Sequence, residues 1–236
     1  MARLPRLVLH GLPHLVSLHG HSGRVIAPDE IDRQALLTAL REAVRLHGVA
    51  VHAWTLADDH LHLLVTPATD DALGRAMQDF GRRYVAGYNR RHGSSGSLWA
   101  GRFRAAVLQP GAWSLQALLF IDGHAGRRGG PVLPAADEPP RSSAHHHLGW
   151  LRDPLLSPVP GYWALGNTPF EREAAYRACL LEGQGAARLQ SLTRAARHGW
   201  ACGEDDWVQA LAARAGDRPL APRPRGRPVK VRPDTA

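Results

Sequence analysis

The fold turns on one stretch, Val51-His52-Ala53-Trp54-Thr55-Leu56-Ala57-Asp58-Asp59-His60-Leu61-His62-Leu63-Leu64. Two runs rich in Val, Leu, Trp and Thr, 49–56 and 60–66, flank the polar turn Ala57-Asp58-Asp59, which is the pattern of a β-hairpin. Side chains two apart on a strand share a face. His60 and His62 therefore stand side by side, while Leu61, Leu63 and Val65 point the other way, into a core. Two neutral imidazoles held close together on a rigid sheet are a start towards a divalent-metal site. The chain holds 14 histidines, so a His-x-His triplet also arises by chance, and the pair alone leaves both readings open.

Working outward, residues 14–19 predict a first strand that ends at Gly20 and Gly23. Asp29 can cap a helix over about 30–47, with Leu36, Leu37, Leu40 and Val44 as its buried stripe and Gly48 as its stop. Beyond the hairpin, Leu73, Met77, Phe80, Tyr84 and Tyr88 fall at helical spacing over about 70–91, which places both tyrosines in a core. Phe103, Ala105 and Val107 alternate with Arg102, Arg104 and Ala106 as a fourth strand, and a helix over about 112–124 follows. Strand-helix-strand-strand-helix-strand is the ferredoxin-like order: an α+β fold with an antiparallel sheet and both crossover helices on one face. The other face is free for a site or for the extra helix.

This region, 1–126, is expected to be the main domain. Residues 127–165 are rich in Pro, Gly and Ser without periodicity and read as a connector. Helical patterns at about 168–182, 184–198 and 204–214 suggest a small C-terminal helical subdomain within 166–216. The tail 217–236 is rich in arginine and proline and predicts an extended, basic segment. A 44% hydrophobic content argues against global disorder. No run approaches the roughly 18 apolar residues of a membrane span. The basic N-terminus lacks an apolar stretch and a cleavage site, so a cytoplasmic protein is expected. Cys179 and Cys202 make neither a disulfide framework nor a cysteine zinc site and read as small packing residues. The net charge of +8 favours a polyanionic partner without identifying it.

The hairpin stretch resembles that of the HUH single-tyrosine transposases, in particular the REP-associated tyrosine transposases. The likeness extends to Met1-Ala2-Arg3-Leu4-Pro5-Arg6, Gly81-Arg82-Arg83-Tyr84-Val85, Tyr88-Asn89-Arg90-Arg91-His92-Gly93 and Ser97-Leu98-Trp99-Ala100-Gly101-Arg102-Phe103. Asp153-Pro154-Leu155-Leu156 and Ala164-Leu165-Gly166-Asn167-Thr168-Pro169 carry it into the distal half, in the family's order. The resemblance implies a ferredoxin-like fold, Mg²⁺ or Mn²⁺ held by His60, His62 and a third side chain, and single-stranded or hairpin DNA as partner. It further implies a tyrosine after the fourth strand that attacks the phosphodiester, leaving a 5′-phosphotyrosine and a free 3′-hydroxyl.

Here the chain departs from the family. The stretch matching its Tyr-Ile-x-x-Asn-Pro-Val is Phe120-Ile121-Asp122-Gly123-His124-Ala125-Gly126, and phenylalanine has no hydroxyl. Phe120 is therefore expected to pack, and the protein to bind DNA without cleaving it. The alternative is an active metal-dependent endonuclease that uses water or another nucleophile. His124, one helical turn beyond Phe120, either completes a three-histidine site or is a surface histidine at a fraying helix end. Ala100 and Pro140-Arg141-Ser142-Ser143-Ala144 are further departures, and His145-His146-His147 reads as a solvated loop. For DNA contacts the candidates are Arg82, Arg83, Arg90 and Arg91 on the second helix, and Trp99 among Arg102 and Arg104 for base stacking. In the tail, Arg225-Gly226-Arg227-Pro228 has the form of an AT-hook core.

Overall fold

A computed structural model describes residues 6–216 and 220–221. The tail arginines Arg225 and Arg227, and all of the N-terminal motif but Arg6, lie outside the described residues.

The first half alternates as expected: β1 (His14–His19), α1 (Glu30–Leu46), β2 (Val49–Leu56), β3 (His60–Pro67), α2 (Ala72–Arg91) and β4 (Arg104–Val107). The strands form one antiparallel sheet in the order β2-β3-β1-β4, the ferredoxin-like topology. Asp29 caps α1 by accepting from the Asp32 N–H, and Leu36, Leu40 and Val44 form its buried stripe. α1 and α2 cover one face of the sheet, burying Leu36, Leu40, Phe80, Tyr84 and Tyr88 against Leu61, Leu63 and Val65. The two tyrosines are core residues. Their hydroxyls donate to the carbonyls of Ile26 and Val25 beneath them.

The opposite face carries a second layer. It comprises α3 (Ala112–Asp122), the short turns α4 (His124–Arg127), α5 (Ala144–His147) and α6 (Pro160–Trp163), then α7 (Pro169–Glu182) and α8 (Ala186–His198), while α9 (Asp205–Ala215) packs apart from it, with Leu211 against Leu7, Leu9 and Val107. α7 starts on a full capping box between Thr168 and Glu171, with Pro169 at its first position. Leu118 and Ile121 of α3, Tyr176 of α7 and Leu192 of α8 share one core with Leu15, Leu64 and Ala106 of the sheet. α8 thus packs on the same sheet as the first half, and α7 joins the same core beside α3. Cys202 is buried in this core and Cys179 packs at its margin, both as free thiols.

The stretch 127–165 is more than a connector. It runs along the outer edge of β2, where Leu56 N–H donates to the Arg141 carbonyl (2.8 Å), Ser143 N–H to Trp54 (2.8 Å) and Ser157 N–H to Val51 (2.7 Å). On the far side, Cys202 N–H donates to the Val107 carbonyl, so both edge strands are partly covered. His145 and His147 are buried here, against the expectation of a solvated loop. His145 bonds the Ala135 carbonyl through Nε2 (3.0 Å), and His147 is held by Asp122, whose buried carboxylate accepts from His147 Nδ1 (2.7 Å), from the Tyr176 hydroxyl (2.8 Å) and from Ser143 Oγ. Among the described residues no helix is long and apolar enough to cross a membrane.

Candidate metal-binding cleft

Strand register decides which side chains meet. β1 and β3 pair with Ser17 opposite His62 and His19 opposite His60, so all four project from the face covered by the second layer. α3 crosses that face and ends at Gly123, where a Cβ would lie 2.8 Å from the Leu119 carbonyl oxygen. Only glycine allows so tight a break, and His124 follows it at the start of α4.

The result is a cluster in which one ligand nitrogen from each of His60, His62 and His124 lies within 4.8 Å of the others. The ring centroids of His60 and His62, and of His60 and His124, are both 4.7 Å apart. Second partners orient two of the rings. His60 Nδ1 donates to Asp59 Oδ1 at 2.6 Å, and His62 Nδ1 shares a 2.8 Å hydrogen bond with Ser17 Oγ. Each Nε2 is left for the site. His124 Nε2 is buried with no hydrogen-bond partner. Burial, followed by the neighbouring His60, holds the His62 imidazole well below its usual range and lowers that of His124 to about 4. Both rings are therefore neutral at physiological pH, with lone pairs to offer.

This arrangement fits a divalent ion. Three converging imidazoles, two with outer-shell partners and one with an orphaned buried nitrogen, are poorly explained by packing alone.

The cluster lies in a cleft of about 510 Å³ lined also by His19, Asp59, Phe120, Arg127, Arg128, Thr193 and Arg197. Phe120 is buried, with its ring 5.8 Å from that of His62. The Arg127 guanidinium lies over the Phe120 ring, 4.3 Å from its centroid, and donates to the Phe120 carbonyl. None of the four tyrosines lines this cleft. Tyr84 and Tyr88 sit in the opposite layer, and the hydroxyls of Tyr162 and Tyr176 donate to the His147 carbonyl and to Asp122.

The other sequence candidates scatter. Arg104, paired in register with Ser17, projects on the histidine face, and after burial and His60 it contributes to the lowered pKa of His19. Arg82, Arg83, Arg90 and Arg91 belong to α2, in the layer across the sheet from the cleft. Two of them are committed to acids: Arg83 to Asp79 and Glu42 (both 2.9 Å), and Arg91 to Asp29 and Asp32 (both 2.6 Å). These are clasps between α1 and α2 rather than open cations. Trp99 packs on Phe80 and Tyr84, with centroids 5.9 and 6.2 Å away, and belongs to that same layer instead of offering a stacking surface in the cleft. Arg102 is exposed ahead of β4. Sequence reasoning missed His19, although the alternation Leu15, Ser17, His19 carried the signal. It also missed Arg127, Arg128 and the α8 residues, for which there was no signal short of the tertiary fold.

No protein-family model matches the chain, and no curated protein does. Among solved structures, the chain is similar to a REP-associated tyrosine transposase bound to a REP hairpin. The match has a TM-score of 0.53 and 17% identity, and covers 68% of this chain and 93% of that one. A protein from Deinococcus radiodurans R1 bearing a transposase assignment matches over 44% of this chain and 84% of its own, at TM-score 0.35 and 17% identity. The first likeness establishes the fold.

Proposed function

We propose that this chain is a hairpin-DNA-binding protein of the HUH single-tyrosine transposase class that no longer forms the covalent link to DNA. The observation that carries the reading is Phe120, which faces the His60, His62 and His124 cluster in a cleft that no tyrosine lines. The shared fold, and the REP hairpin in the structure of similar fold, support folded single-stranded DNA as the ligand.

The three histidines would hold the ion, with Asp59 and Ser17 fixing the rings of His60 and His62. Bound there, a divalent cation supplies the positive charge that polarises a phosphodiester. Phe120 has no oxygen with which to attack, so the chain's own residues bind and orient the strand and take the chemistry no further.

The test is Mn²⁺-dependent cleavage of a hairpin-bearing single-stranded oligonucleotide by the native protein and by Phe120→Tyr. Native protein should bind without cleaving, and Phe120→Tyr should yield a covalent protein–DNA adduct. Cleavage by the native protein would overturn the reading. So would equal affinity for hairpin and random single strands at matched salt.

A further inference from the structure

We propose that Arg127, Arg128 and Arg197 form a phosphate-binding cradle beside the histidine cluster, so that the DNA strand enters the cleft bordered by α4 and α8 rather than running along α2. The inference rests on the functional reading above for its ligand, but the geometry stands apart from it.

The first observation is charge without compensation. Arg127 and Arg128 enter the cleft from the end of α4, and Arg197 enters from α8. None of the three has an ion pair among the described residues, whereas Arg83 and Arg91 on α2 are each held by two acids. The one carboxylate in the cleft lining, Asp59, is already bonded to His60. Three guanidiniums converging on one cleft with no free acid among them give it a positive potential that attracts an anion.

The second observation is that the set is built. The Arg127 guanidinium is turned inward over the Phe120 ring and tied to its carbonyl, and burial lowers its pKa to about 10. Phe120 thus serves as the platform that aims a cation at the cleft. On α8, Leu189, Thr193, Ala196 and Arg197 share one helical face, and that face forms the roof. Phosphodiester oxygens match this chemistry, since guanidinium presents a fork of donors to them.

The experiment measures hairpin-oligonucleotide affinity by fluorescence anisotropy across a salt series, using the full chain. Arg128→Gln and Arg197→Gln change exposed side chains and should leave the fold intact. Each should lower the slope of log K against log salt by about 0.7 and weaken binding about fivefold near 100 mM salt. Arg82→Gln and Arg90→Gln, on the opposite layer, should change neither. Loss of slope from the α2 pair, with none from Arg128→Gln and Arg197→Gln, would overturn the cradle while leaving DNA binding standing.

A second arm compares thermal midpoints in inorganic phosphate and in chloride at equal ionic strength. Phosphate should raise the midpoint of native protein and not that of the Arg128→Gln/Arg197→Gln double variant. If native protein ignores hairpin DNA yet shows this phosphate effect, the cradle holds and the DNA reading falls. If it shows neither, the cradle falls too.

Discussion

Asp122 joins the pieces of the second layer, and the cost of removing it can be worked from its contacts. Its buried carboxylate takes three donors: Ser143 Oγ, His147 Nδ1 at 2.7 Å and the Tyr176 hydroxyl at 2.8 Å. Burial, then the nearby carboxylate, pushes the Tyr176 phenol well above its usual range, so it stays protonated and donates. A hydrogen bond to a charged group contributes roughly 1.5–3 kcal/mol, and a buried group left unpartnered costs about 1–3 kcal/mol. Tyr176→Phe removes one donor and should destabilise by about 2 kcal/mol. Asp122→Ala strands all three donors and should cost about 3–5 kcal/mol. The two changes are in contact and will not add. Once Asp122 is gone, the Tyr176 hydroxyl is itself a buried unsatisfied group, so Tyr176→Phe in that background should be neutral or stabilising by about 1 kcal/mol. Urea denaturation of the four proteins, with slopes checked for constancy, measures the cycle. A Tyr176→Phe penalty of equal size in both backgrounds would show that the hydroxyl does not depend on Asp122, and the account of how this layer is joined would fail.

Two further predictions follow from histidines with assigned partners. His14 is fully buried, with Nδ1 donating to the Leu12 carbonyl (2.7 Å) and Nε2 accepting from Leu9 N–H (3.2 Å). Burial lowers its pKa from 6.5 to about 4. The unfolded chain therefore takes up the proton first, and this contribution is complete above pH 6.5 and lost as pH falls to about 4, a total of about 3 kcal/mol. His52, His62 and His124 slope the same way, so the measurement is a comparison. His14→Gln should flatten the pH dependence of the urea midpoint over that window, and an unchanged slope would refute the assignment. Ser17→Ala removes the partner of His62 Nδ1 and should weaken Mn²⁺ binding by about ten- to a hundredfold in a calorimetric titration. Native affinity in that variant would mean that Ser17 orients nothing.

How much of this was legible depended on periodicity. The alternation of β3 and the Leu36, Leu40, Val44 stripe of α1 announce a sheet with one helical layer, and the site follows where the strand pattern places polar residues on one face. His124 was legible only as a choice between two readings, because the helix breaks at Gly123 in a way that spacing does not reveal. The α2 arginines could not be judged from their own helix, since three of the acids that hold them, Asp29, Asp32 and Glu42, come from α1 or its cap. The stretch 127–165 defeated a periodic reading because its order comes from four-residue helices and from single hydrogen bonds to β2. His147 illustrates the point: the carboxylate that buries it stands 25 residues earlier in the chain.

Position 120 brings these threads together. Phenylalanine and tyrosine differ by one oxygen, and the Phe120 ring lies close to both the His62 ring and the Arg127 guanidinium. The rest of the cleft still bears the marks of a ligand site. His124 Nε2 is buried without a hydrogen-bond partner and converges with His60 and His62. Asp59 and Ser17 hold the rings of His60 and His62 by their Nδ1 atoms. Three arginines face the same space with no acid of their own. Under the proposed function, Phe120 beside these candidate cation and anion sites suits a protein that holds a DNA strand and leaves it uncut.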